Sequence, residues 1–377
     1  MRNIIIGLML LVGMTAVKAQ TLQDGEKIVH GVCRQNLQWV KQPAEVEKIA
    51  DNIASTKIPL VRLSGAKENG SIEQVIRNIN TFTRKGIKVL LIQPLTKEMF
   101  PAGYQQVPGP NFKVFKMSDI DLDRFSSFIN ELVEELARNT AEGAVVGFEL
   151  FNEANWGDFN GDLQPTPDGK GEIFTLATPL DKPSFADIYA GIGKYGKCLE
   201  ITRKVLDTHF PKKNVKLVTN GMVSSGGWDN FRWQINRGIS LVLPDMFLTI
   251  LQGNHPQQQD KTNYLAFADA IGLHGYPPLE DDMLATLHTY YFDPINAVLD
   301  TPKPVWITEW GFARNKFDND GGEATRLIYI NKFIEALDKI SNVEITTFYE
   351  FDASKNHNIW ENGKLLESGT FFQNIYK

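Results

Sequence analysis

Short apolar, β-branched runs recur eight times along this chain, and each is followed by a turn and then, in most cases, by a stretch with helical periodicity. The predicted strands are 27–33 (KIVHGVC), 58–64 (IPLVRLS), 87–93 (IKVLLIQ), 145–153 (VVGFELFNE), 215–221 (VKLVTNG), 270–276 (AIGLHGY), 304–310 (PVWITEW) and 344–350 (EITTFYE). Predicted helices fill the gaps at 43–56, 71–85, 119–139, 184–208, 281–299 and 322–340. Ser71 with Gln74 three residues on, Ser118 before an acidic first turn, and Gly86 mark helix boundaries. Alternating β and α elements predict a parallel sheet, and a count of eight predicts closure into a single (β/α)8 TIM barrel. A doubly wound open sheet that bound a nucleotide would carry a Gly-rich phosphate turn after the first strand, and Gly31-Val32-Cys33-Arg34 is not one. The connections after strands three, four (154–183) and five (222–269) are long. They follow strand C-termini, where barrel enzymes keep their sites, and read as a substrate-binding rim.

The N-terminus combines Arg2, an apolar stretch from Ile4 to Val12 and a small-residue site at Val17-Lys18-Ala19. That pattern predicts a signal peptide over 1–19, cleaved before Gln20, with 20–377 as the catalytic domain and a secreted or periplasmic location. The apolar run is too short to span a bilayer. The formal charge is −6, and removing Arg2 and Lys18 with the leader takes it to −8. A moderately acidic surface argues against nucleic acid or an anionic membrane as partner. The only cysteines are Cys33 and Cys198, read as two buried free thiols in preference to a disulfide. So few cysteines, with scattered histidines, give no support to a metal site, and no cofactor is expected.

Polar groups appear together where the apolar strands end: Arg62 on strand two, Asn152 and Glu153 on four, His274 and Tyr276 on six, Glu309 on seven. In a barrel these converge on one rim. Two residues apart on a strand share a face, which pairs His274 with Tyr276 and Ile307 with Glu309. Burying carboxylates at the ends of apolar strands is costly unless they are paired or used. One carboxyl kept protonated and another kept ionised suit cleavage of a glycosidic bond. For a lone strand-end glutamate a stabilising salt bridge would be the simpler reading; two on one rim beside Arg62, His274 and Tyr276 favour chemistry.

At these residues the chain resembles clan A glycoside hydrolases, which include families 5 and 39. Glu149-Leu150-Phe151-Asn152-Glu153 resembles their Glu-X-X-Asn-Glu signature on strand four, and Ile307-Thr308-Glu309-Trp310-Gly311 resembles their strand-seven nucleophile motif. His274-Gly275-Tyr276 is similar to the His-X-Tyr of strand six in family 5, and Arg62 falls where that family places an arginine. The resemblance implies a retaining hydrolase with Glu153 as acid/base and Glu309 as nucleophile. It further implies that Asn152 binds the sugar 2-hydroxyl, that Tyr276 and Arg62 keep Glu309 ionised, and that His274 contacts Glu153 or the substrate. Ala154 departs from the proline that commonly follows the acid/base, and the strand-eight tryptophan is missing from Phe348-Tyr349-Glu350-Phe351-Asp352. Tyr349 or Trp360 would then supply the sugar platform. Glu149 reads as a buried structural carboxylate with a basic or amide partner, and less readily as a third catalytic group.

Trp156, Trp228, Trp233, Trp310 and Trp360 lie in predicted strand ends or loops. Flat aromatic faces stack on pyranose C–H faces, and Trp156 and Trp310, each close to a glutamate, are the favoured substrate contacts. The rim lacks a basic cluster, so the expected substrate is a neutral carbohydrate, a β-linked glucan or mannan. Three alternatives stay open: an exo-acting β-glycosidase, a barrel that binds glycans after losing catalysis, and a metal-dependent barrel hydrolase.

Overall fold

The computed structural model describes residues 28–66, 70–212, 214–224, 226 and 228–376, without the side chains of 228–230. The expected leader at 1–19 lies outside the described residues. Eight parallel strands form the barrel: β1 (Val29–Cys33), β2 (Leu60–Ser64), β3 (Lys88–Gln93), β4 (Val145–Leu150), β5 (Lys216–Val218, resumed at Met222–Val223), β6 (Ile271–Gly275), β7 (Val305–Trp310) and β8 (Val343–Phe348). Neighbours pair in sequence order, and β8 returns to β1 with Val29 opposite Ile345. The broken fifth strand closes the ring, its first half bridging Val218 to Ala270 and its second half pairing Met222 with Leu273.

Helices alternate with the strands: α1 (Pro43–Ser55), α2 (Ile72–Thr83), α3 (Leu122–Asn139), α4 (Ala186–His209), α5 (Pro244–Leu251), α6 (Met283–Leu287, continued through a π-turn to Asn296), α7 (Gly322–Leu337) and α8 (Phe371–Ile375). This is a (β/α)8 barrel. The Ser71 hydroxyl caps α2 by accepting from the Gln74 N–H at 3.1 Å. Ser118 does not start α3; Asp121 caps it instead, and Ser118 donates to Asp162 at 2.6 Å. α5 carries no helical period in the sequence because it is buried on nearly every side and so has no polar face to alternate with. α8 is too short to show a period. The interval read as one helix over 281–299 is interrupted, with Pro294 opening its last segment. Among the described residues no helix is long and apolar enough to cross a membrane.

Leu60, Leu90, Val218, Ala270, Trp306 and Ile345 fill the base of the barrel. Gly147 makes room for Trp306, because a Cβ there would stand 2.3 Å from the indole. The long loops after β4 and β5 fold over the mouth and pair with each other through Ile173–Phe174 and Leu241–Val242. Cys33 and Cys198 are both free and buried.

Candidate active site

Above the apolar base the barrel carries a charged layer. Arg62 is completely buried and grips Glu149 with two nitrogens, Nε to Oε2 at 2.7 Å and Nη2 to Oε1 at 2.8 Å. Its Nη1 reaches Glu309 Oε2 at 2.9 Å, and Nη2 also donates to Asn152 Oδ1 at 3.1 Å. Glu149 accepts further bonds from the Gly221 N–H and the Thr308 hydroxyl, both at 3.0 Å. These bonds make Glu149 the anchor of Arg62. Gly221 sits against His274 so closely that a Cβ would meet the imidazole Nε2 at 2.1 Å.

Glu153 and Glu309 stand over this layer, each about nine-tenths buried. β4 stops at Leu150, short of the predicted end at 153, and the chain turns with positive φ at Phe151 (67°) and Glu153 (43°). Such conformations cost about 1–3 kcal/mol each and persist where surrounding structure enforces them. Glu309 reaches the mouth by a different device. β6 and β7 pair Leu273 with Ile307 but His274 with Glu309, a bulge that skips Thr308. Ile307 therefore faces the helices, whereas Thr308 and Glu309 both turn inward, contrary to the shared face expected for Ile307 and Glu309.

Three donors converge on the Glu309 carboxylate: the Tyr276 hydroxyl at 2.5 Å, Arg62 Nη1 at 2.9 Å and Gln35 Nε2 at 2.8 Å. Burial alone would raise its pKa. The charges of His274 and Arg62, with the bonds from Tyr276 and Gln35, outweigh burial and hold Glu309 below the ordinary value. Among the described residues Glu153 has one close partner, His274 Nδ1 at 2.6 Å. Here burial dominates, and the proximity of Glu309 adds to it, so the Glu153 pKa is raised. His274 Nε2 faces an Arg62 nitrogen at 3.4 Å, and since that nitrogen can only donate, the proton of a neutral ring belongs on Nδ1, facing Glu153.

Glu153, His274 and Glu309 each offer an atom within 4.8 Å of the other two, a spacing that would also suit a cation. The Arg62 guanidinium bonded to the same Glu309 carboxylate puts a positive charge beside that point, which disfavours a metal on this donor set.

The two glutamates open into a cleft of about 910 Å³ that also contains Asn152, Tyr276, Trp156 and Tyr349. Other aromatic expectations need correction. Trp310 is fully buried and stacks on Phe333 of α7 at 4.4 Å; following the inward-facing Glu309, it points to the helix layer and packs the protein's own core. Trp233 is 58% exposed with Arg237 over its ring, outside the cleft lining. Trp360 stacks on Phe351 in a small hairpin, also away from the cleft lining. The Trp228 side chain lies outside the described residues. Trp156 lines the cleft, but most of its surface packs in a rim cluster with Phe231, Ile239 and Leu241.

The sequence reading missed Gln35, His357, Trp39, Phe112 and Phe159, all of which line the cleft. Gln35 lies just beyond the first strand, a position that could have flagged it. His357 packs edge-on to Tyr276 and Tyr349, and burial brings its pKa down to about 4, so the ring is neutral above that pH. Nothing local distinguished the three aromatic residues from core ones.

Residues 235–374 match the family described as "Glycosyl hydrolase catalytic core". A comparison with curated proteins finds no match. Among solved structures, a monomeric β-xylosidase from Caulobacter crescentus CB15 is similar with a TM-score of 0.59 and 12% identity, over 92% of this chain and 67% of that one. The GH53 catalytic domain from Ignisphaera aggregans gives 0.54 and 15%, over 93% and 96%. An exo-β-1,4-mannosidase from Opitutaceae bacterium strain TAV5 gives 0.57 and 12%, over 93% and 59%. The family match covers residues 235–374, and the likeness to these solved structures, at 12–15% identity, is one of fold, the (β/α)8 barrel.

Proposed function

We propose that this protein is a retaining β-glycosidase in which Glu309 attacks the anomeric carbon and Glu153 protonates the leaving oxygen and then activates water. The observation that carries this reading is the distance between the two carboxylates, which bring an oxygen each within 4.8 Å in one cleft. Carboxyl groups about 5–5.5 Å apart suit double displacement, whereas inversion leaves about 6.5–9.5 Å to seat a water. The electrostatics support the same roles, with Glu309 held ionised and Glu153 biased towards the protonated form. Asn152, oriented by Arg62, is assigned to the sugar 2-hydroxyl.

The substrate proposed is a β-linked neutral polysaccharide or oligosaccharide, a glucan or mannan. Internal cleavage is favoured over exo action because aromatic residues flank the glutamates on two sides of the cleft, Trp39 beside the β1 loop and Phe112 with Phe159 beside the β3 and β4 loops. Export, with cleavage before Gln20, remains part of the proposal on the strength of Arg2, the Ile4–Val12 run and Ala19.

Proton NMR of the first product formed should show the β anomer before mutarotation, and a 2-deoxy-2-fluoro glycoside should leave one added sugar mass on the peptide containing Glu309. An α-configured first product would overturn the retaining mechanism.

Tyr276→Phe tests the tuning of Glu309. Burial and the adjacent Glu309 charge hold the Tyr276 phenol well above its ordinary pKa, so it is a permanent donor. Removing it raises the Glu309 pKa. Since Glu309 must be ionised to attack, activity is lost as pH falls through that pKa, and the acidic limb of the kcat/KM profile should move to higher pH. The rate at the optimum should fall about tenfold or more, the scale of a hydrogen bond to a charged group. An acidic limb that stays put would remove Tyr276 from this role.

A further inference from the structure

The cleft contains a buried acceptor that the proposed chemistry does not use. Asp158 is 9% exposed and lines the cleft five residues beyond Glu153. Its Oδ2 accepts from Asn111 Nδ2 at 2.7 Å, and Asn111 is held in turn by Arg237 Nη2 at 2.8 Å. Its Oδ1 is buried with no partner among the described residues, and Gln234 Oε1, from the same cleft, is in the same condition. Unsatisfied buried acceptors are costly unless a ligand completes them. Phe112 and Phe159 meet edge to face at 5.6 Å beside them, yet remain 49% and 36% exposed. Apolar ring faces next to unsatisfied acceptors match a sugar, which presents C–H faces and hydroxyl donors together.

The side of the scissile bond follows from the chemistry. The acid/base must touch the glycosidic oxygen, so the leaving group extends over the segment that follows Glu153, whereas the residues bonded to Glu309 surround the sugar under attack. We infer that Asp158, with Gln234, Phe112 and Phe159, forms a specificity site for a saccharide leaving group, Asp158 Oδ1 accepting a hydroxyl of that sugar. This rests on the assignment of Glu153 as acid/base. Substrates with a sugar on the leaving side are favoured over glycosides of a flat, hydroxyl-free alcohol.

The test compares kcat/KM for a β-linked oligosaccharide with that for a nitrophenyl β-glycoside of the same glycone, in wild type, Asp158→Ala and Asp158→Asn. Asn at 158 can still accept from Asn111 through its amide oxygen, while the unpartnered Oδ1 position becomes an NH2 donor. The oligosaccharide-to-aryl ratio should fall about 10- to 100-fold in both variants. A ratio unmoved in both overturns the site. So does a fall in Asp158→Ala alone, because Asp158 would then only tether Asn111, and so does a wild type that cleaves aryl glycosides but no oligosaccharide. A wild type inert on both classes of substrate is a different failure: it sinks the hydrolase reading itself, and the leaving-group site with it.

Discussion

Replacing Glu309 by glycine should abolish hydrolysis, with a loss of about 10⁵-fold or more in kcat, the scale seen when an enzyme loses its nucleophile. Sodium azide should restore turnover of an aryl β-glycoside, because a small anion can occupy the space the carboxylate leaves beside Arg62, Tyr276 and Gln35. The anomeric product identifies the role. Azide in place of Glu309 attacks the face opposite the leaving group and yields the α-glycosyl azide. In Glu153→Ala the proposed covalent intermediate should still form from a substrate whose leaving group needs no protonation, and azide should then attack from the other face to give the β-glycosyl azide. Exchanged products would reverse the two assignments. A Glu309→Gly protein that matches wild type in every assay would instead favour a barrel that only captures glycans.

The second large effect is on stability. Arg62 is the positive charge between two buried carboxylates, Glu149 at 2.7 Å and Glu309 at 2.9 Å. Arg62→Met leaves both without their cation, and removing one partner of a buried ion pair costs about 3–5 kcal/mol. The melting temperature should fall by roughly 5 °C. The sign of the pH dependence follows from linkage. In the wild type Glu309 has a depressed pKa, so its contribution is present above the unfolded value and is lost as pH falls through the folded one. Without Arg62, burial pushes the Glu309 pKa up in the folded state, and stability is then lost as pH rises through it. The gap between variant and wild type should therefore narrow as pH is lowered. Adding Glu149→Gln to Arg62→Met should recover part of the loss, which a double-mutant cycle measures. An Arg62→Met protein that melts like wild type would show the charged layer to be dispensable.

Residue by residue, the legible part of the site was the part bound to strand ends. Glu153, Glu309, Arg62, His274 and Tyr276 could be found because a polar group at the end of an apolar run is expensive unless something uses it. The structure brings these five into one hydrogen-bonded set. Glu149 became intelligible only in three dimensions, since its partners Arg62, Gly221 and Thr308 come from three other segments. The loop aromatics were the least legible. Trp310 stands next to Glu309 in the sequence, yet a neighbour in a strand points the opposite way, here into the core.

Sequence alone determined the barrel, because strand and helix periodicities are local properties and eight alternations leave few closed solutions. It also determined which charged residues stand at the barrel's mouth. The fold decided which way they face. Strict alternation would have sent Glu309 outward with Ile307, and the bulge opposite His274 turned it inward. Two positive φ angles, and not the pleat, aim Glu153. Gln35, His357, Phe112 and Asp158 entered the cleft through loop conformations set by packing against distant parts of the chain. Such long-range contacts leave no period in a linear pattern, and only the folded chain shows them.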